Sequence, residues 1–133
     1  MDTLTVRYFV RDMDTAVAFY RDLLGFEVEL QPSPMFAMLY RGDFRLLLSV
    51  PGAGGGGSDL ANGSTPQPGG WNRFALKVAD LDAAIADLRG KGATFRGDPV
   101  TGVGVKQAVL QDPDGNPVEL FEPLAAYHER AST

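Results

Sequence analysis

The chain has 133 residues, 44% of them hydrophobic and 22% charged, with a net charge of -5 and no cysteine. That length suits one domain with a real core and is short for two independent ones, and the composition is globular, neither disordered nor fibrous. An acidic balance without clustered Lys and Arg excludes nucleic acid and anionic membrane surfaces as the main partner, and the absence of thiols excludes disulfides, thiolate catalysis and Cys-ligated metals.

The opening "MDTLTVRYFVRD" lacks the basic-then-apolar layout of an export signal, and no apolar run reaches membrane-spanning length, so a cytoplasmic protein is expected. An apolar strand from Thr5 leads into a helical stripe of Met13, Ala16, Val17, Tyr20 and Leu24, capped by Asp12 and stopped at Gly25. "FEVELQ", "MFAMLY" and "FRLLLSV" then read as strands. Residues 51–70 hold half of the chain's 16 glycines and cannot pack a core, so they read as a connector, pinned by Leu60 or by its prolines. A phosphate cradle is disfavoured there, because no Gly-Lys-Ser/Thr follows and no strand-to-helix junction surrounds it. Beyond it, a strand around Arg73 precedes a helix whose Leu81, Ala84, Ile85 and Leu88 share one face, capped by Asp80 and ended by "GKG". "ATFRG", "VKQAVLQ" and "PVELFEP" follow as strands.

The two halves repeat each other. At a constant offset Val10 falls on Val78, Asp12 on Asp80, Asp14 on Asp82, Ala16 on Ala84 and Arg21 on Arg89, with matching hydrophobic periods. The expected organisation is therefore one domain over 1–133, with a first module at about 3–50, the connector at 51–70, a second module at about 71–123 and a tail at 124–133. The second module ends in "QDPDGNPVELFEP", a tight polar turn running into a strand in which Glu119 alternates with Val118 and Leu120. A glutamate so placed faces either solvent or a site.

Two copies of strand, helix and three strands, with "FYRDLLGFE" in the first and "DPDGNPVELFEP" in the second, resemble the vicinal oxygen chelate superfamily, which contains glyoxalase I, bleomycin-resistance proteins, fosfomycin-resistance enzymes and extradiol dioxygenases. The resemblance runs over roughly residues 3–123. It implies an α+β fold of two βαβββ modules whose curved sheets enclose a cavity, in a chain that pairs as a homodimer. It also implies that Glu119 faces the cavity, where metal-using members carry the last of four ligands. At the other ligand positions, however, the family's spacing upstream of Asp12 and Asp80 gives Thr5 and Arg73, and Leu46 is taken from "RGDFRLLL" as the counterpart of Glu119 in "PDGNPVEL". Thr, Arg and Leu do not hold a divalent ion, so no metal and no other cofactor is expected. The one histidine, His128, lies in the polar tail.

Strand alternation then supplies a lining. Thr5, Arg7 and Phe9 share a side of the first strand; Phe44, Leu46 and Leu48 are taken from the fourth, Trp71, Arg73 and Ala75 from the start of the second module, and Glu119 and Phe121 from the last strand. Met35, Met38 and Tyr40 are packing residues or an adaptable wall. Arg73 and Glu119 occupy positions that two metal ligands would share, so the guanidinium is expected to stand in for the ion. The leading expectation is a metal-independent protein that sequesters an aromatic or amphipathic compound, as the bleomycin-resistance branch does. The alternatives are a lyase, isomerase or dioxygenase-family enzyme with Glu119 as general base and Arg73 stabilising negative charge, and an orphan domain without a small ligand.

Overall fold

The computed structural model describes residues 3–125. The chain divides into two compact units, one joining the segment up to Trp71 with Asp112–Asn116, the other joining Asn72–Gln111 with the segment from Pro117 onward.

In the first unit β1 (Leu4–Phe9) leads into α1 (Met13–Ala18), which widens into one π-helical turn over Phe19–Leu23 before β2 (Glu27–Ser33), β3 (Phe36–Arg41) and β4 (Phe44–Ser49). The sheet order is β1-β4-β3-β2, with β1 parallel to β4 and the other pairs antiparallel. Asp12 has extended backbone and accepts from the Thr15 amide, the capping role its position implies, and Gly25 leaves the helical segment at φ 73°. Met13, Ala16 and Val17 are buried with Tyr8, Val10, Leu39, Leu46 and Leu48, so α1 and one face of the sheet share this unit's core. The π turn lets Phe19 and Tyr20 both face inward: the Tyr20 ring stands edge-on to Phe19 at 5.0 Å and to Phe26 at 5.6 Å.

The turn Asp112–Asn116 explains "DPDGN". Asp112 Oδ1 accepts from the amides of Asp114 at 2.9 Å and Asn116 at 2.8 Å, while Oδ2 accepts from the Tyr20 hydroxyl and from Asn116 Nδ2, each at 2.8 Å. Asn116 Nδ2 also donates to the Phe9 carbonyl at 2.7 Å, and its Oδ1 accepts from the Gly69 amide at 2.7 Å. Asp112 and Asn116 are buried, and each buried lone pair so engaged avoids the penalty of an unpaired polar group. Gly115, at φ 85°, supplies the left-handed residue that closes the turn.

The connector is pinned in part by glycine, and Leu60 is not the anchor expected of it, while Pro51, Pro66 and Pro68 are half-buried. Leu60 is exposed, whereas Gly57 is buried, its carbonyl accepts from the Gly52 amide at 2.7 Å, and a Cβ there would lie 2.5 Å from the Val50 carbonyl oxygen. Hydrophobic anchoring failed as a guide because the chain approaches itself through backbone, which only a residue without a side chain permits.

The second unit contains β5 (Ala75–Lys77), α2 (Leu81–Gly90), the short strands β6 (Thr94–Phe95) and β7 (Val100–Thr101), then β8 (Val105–Gln111) and β9 (Pro117–Pro123). Its sheet runs β5-β9-β8-β6, with β7 also on β8; β5 is parallel to β9. Asp80 accepts from the Ala83 amide at 3.0 Å, and Glu122 Oε1 accepts from the Leu81 amide at 2.8 Å, so two carboxylates serve the first turn of α2. Leu81, Ile85 and Leu88 bury against the sheet face carrying Ala108, Leu110, Val118 and Leu120. Among the described residues no helix is long and apolar enough to cross a membrane.

Candidate functional site

In each unit a helix, α1 or α2, covers one sheet face, and Thr5, Arg7, Phe9, Glu119 and Phe121 among the candidate residues belong to the other. In the second unit the register sets Ala75 beside Glu119 and Lys77 beside Phe121, while across β9 and β8 Glu119 lies beside Val109 and Phe121 beside Gln107. Glu119 thus turns away from the core that takes Val118 and Leu120. Arg73, two residues before Ala75, reaches the same carboxylate: Nε donates to Glu119 Oε1 at 3.1 Å and a terminal nitrogen lies 3.0 Å from that oxygen. The side chains are 25% and 18% exposed, so this charge-assisted pair is half-buried yet accessible. Arg96 extends the polar surface, donating from Nε to Gln111 Oε1 at 3.0 Å.

In the first unit Thr5, Arg7 and Phe9 do share a face, but their neighbours on β4 are Arg45, Leu47 and Ser49. Leu46 and Leu48 are 0% exposed on the opposite face, and the Phe44 ring stands edge-on to Phe26 at 6.1 Å, so these three expected lining residues belong to the core side. The error has a plain cause. In "FRLLLS" the leucines are consecutive, so hydrophobicity does not mark the buried alternate and strand pairing alone fixes it. Arg7 donates to Ser49 Oγ at 2.9 Å, which confirms the common face. Further along, Arg45 pairs with Glu29 at 3.2 Å, Tyr40 lies beside Arg45, and Met38 lies beside Leu47. The Glu27 carboxylate, bonded to the Tyr40 hydroxyl, holds that phenol above its ordinary value. Trp71 is 67% exposed and precedes β5 instead of lying on it.

The register also corrects the metal comparison. The internal repeat places Arg7 on Ala75; the parallel partner of Arg7 is Leu47 and that of Ala75 is Glu119, so the counterpart of Glu119 is Leu47, not Leu46. The four positions are then Thr5, Leu47, Arg73 and Glu119. Their chemistry does not fit a divalent ion: of the four residues Glu119 alone carries a carboxylate, and the Arg73 cation already engages it. Among the described residues no group of three or more His, Asp or Glu could hold a metal, and His128 lies outside them. Arg45, Ser49, Arg96 and Gln111 were missed from sequence because their faces follow from register, whereas Leu47 was available from a letter-by-letter match of "RGDFRLLL" to "PDGNPVEL".

The Glyoxalase/Bleomycin resistance protein/Dioxygenase superfamily model matches residues 3–120. The uncharacterised protein YaeR of Escherichia coli K12 is 32% identical over 121 residues, covering 84% of this chain and 88% of YaeR. A member of the same superfamily from Sphaerobacter thermophilus superposes with a TM-score of 0.72 at 26% identity, covering 92% of this chain and 97% of that one. TnmS3, an antibiotic binding protein from Streptomyces sp. CB03234, superposes at 0.67 with 26% identity, covering 92% and 96%. A family match over nearly the whole described chain, joined to the repeated strand, helix and strands of the two units, places this protein in the Glyoxalase/Bleomycin resistance protein/Dioxygenase superfamily.

Proposed function

We propose that this chain is a metal-independent small-molecule-binding protein that holds an aromatic or amphipathic compound, such as an antibiotic, and sequesters it without transforming it. The observation that carries the reading is the Arg73–Glu119 pair, a guanidinium in contact with the one carboxylate at positions where related proteins hold an ion. Such a pair offers fixed donors and an acceptor for a ligand's polar edge. On the same helix-free face of the second unit, Phe121 and Val109 add half-buried apolar surface, the usual partner of a flat ligand body. The similarity to an antibiotic binding protein supports the same reading. It extends to a single domain of two modules, a homodimer in the cytoplasm and Trp71 near the ligand.

The test is calorimetric titration of dialysed protein with a panel of aromatic antibiotics, bleomycin among them, followed by recovery of each compound for mass spectrometry and chiral chromatography. Binding at micromolar or tighter affinity, weakened roughly tenfold by Arg73→Ala, with unchanged compound recovered, is the expected result. Multiple turnovers to a changed compound would replace this reading with Glu119 as a general base, and no binding across the panel would leave an orphan domain. Light scattering at micromolar concentration tests the dimer, which a monomer mass contradicts.

A further inference from the structure

We propose that the helix-free sheet face of the first unit takes a small molecule bearing an oxyanion, a carboxylate, phosphate or sulfonate group, and that Arg7 receives that group; the inference rests on the small-molecule-binding reading. Among the described residues Arg11 pairs with Asp114, Arg21 with Asp22, Arg45 with Glu29, Arg73 with Glu119, Lys91 with Asp87 and Lys106 with Asp82. Arg7 closes no such pair, nor do Arg41 and Arg89; of these three, Arg7 is the one on a helix-free sheet face, beside Leu47. Its side-chain partner among the described residues is the neutral hydroxyl of Ser49, reached through one terminal nitrogen at 2.9 Å. Carboxylates are not scarce in a chain with 17 acidic and 12 basic residues, so a guanidinium left without one has donors to offer.

The surroundings select what takes them. Phe9, Leu47 and Met38 lie on the same helix-free face, all half-buried, so a charged group sits among aromatic and alkyl surface. That combination suits an aromatic acid, whose anion meets the guanidinium while its ring covers the side chains. The connector fixes the guanidinium from a second side. Gly56, in the turn Gly55–Gly57, lies so close that a Cβ there would overlap the Arg7 terminal nitrogen and its central carbon. Gly56 therefore does more than span between modules: its missing side chain leaves room for the Arg7 guanidinium beside Ser49.

The experiment compares two fluorescent probes with one aromatic body, anilinonaphthalene sulfonate and its sulfonate-free parent phenylnaphthylamine. The wild-type protein should bind the sulfonate about tenfold more tightly than the neutral parent, the usual worth of a charge-assisted hydrogen bond. Arg7→Gln should abolish that preference while leaving affinity for the parent within about twofold, and Arg7→Lys should retain part of it. Gly56→Ala, which displaces the guanidinium without removing it, should also reduce the preference, with thermal melts of each variant verifying the fold. Naphthoate and naphthyl phosphate, titrated into the same proteins, separate a carboxylate from a phosphate ligand. Equal binding of the two fluorescent probes, or a preference that survives Arg7→Gln, overturns the assignment alone. If neither probe binds, the small-molecule-binding reading falls and takes this inference with it.

Discussion

Replacing Tyr20 by Phe removes one oxygen from the best-connected polar group in the first unit. Its hydroxyl is buried and donates to Asp112 Oδ2 at 2.8 Å, while the ring packs against Phe19 and Phe26, contacts that phenylalanine keeps. A hydrogen bond to an ionised partner contributes about 1.5–3 kcal/mol, and Asp112 retains three other donors, so we expect a loss near the lower end, about 1.5–2 kcal/mol. For a chain of this size that lowers Tm by roughly 5–10 °C. Urea unfolding followed by far-UV circular dichroism measures it. The pH dependence is diagnostic. Burial, with the Asp112 carboxylate beside it, raises the Tyr20 phenol well above 10.0, so above that pH the unfolded chain releases a proton that the folded chain retains. The folded state then binds more protons, and the wild-type advantage over the variant should shrink as pH rises past 10.0. On the acid side burial raises the Asp112 carboxyl, and the Tyr20 hydroxyl opposes that rise by bonding the ionised form. The advantage should therefore also diminish as pH falls through the raised Asp112 value and the carboxylate takes up its proton. A loss below about 0.5 kcal/mol at neutral pH, or a difference flat from acid to alkali, would refute the network's role.

Asp80→Ala should cost about 1 kcal/mol in the same unfolding assay, since it removes the acceptor of the Ala83 amide at the start of α2, and Asp80→Asn should restore most of it. Gly57→Ala brings a Cβ to 2.5 Å from the Val50 carbonyl oxygen, which the backbone must shift to relieve, and is expected to destabilise by about 1–3 kcal/mol. Elemental analysis after dialysis against zinc, nickel, iron and manganese should find far less than one ion per chain. A stoichiometric ion lost on Glu119→Gln would contradict the reading of Arg73 as its replacement.

The repeat made the architecture legible before any coordinates. Asp12 and Asp80 were readable as caps because a short carboxylate just before an apolar helical stripe has one obvious geometric use, and the Arg73–Glu119 pairing followed from their paired positions. Most of what stayed hidden was set by contacts distant in sequence. On β4 the run of three leucines hid the alternate, so Leu47 and Ser49 were passed over for Leu46 and Leu48, although "RGDFRLLL" set letter by letter on "PDGNPVEL" already pairs Leu47 with Glu119, as the register with β1 shows. The two-residue β7 carries too few side chains for any alternation to register, and the buried Tyr20–Asp112 bond joins residues far apart in the chain. Gly56 and Gly57 looked like flexible spacer, because a sequence records that a side chain is missing and not what occupies its place.

A crystal structure of the dialysed protein with the tightest compound from the antibiotic panel tests the central claim most directly. The account predicts intact compound on the helix-free face of the second unit's sheet, hydrogen-bonded to Arg73 or Glu119, with the guanidinium still within about 4 Å of the carboxylate and no ion between them. A metal ion ligated by Glu119, a product in place of the compound, or a ligand lying away from Arg73 and Glu119 would contradict it.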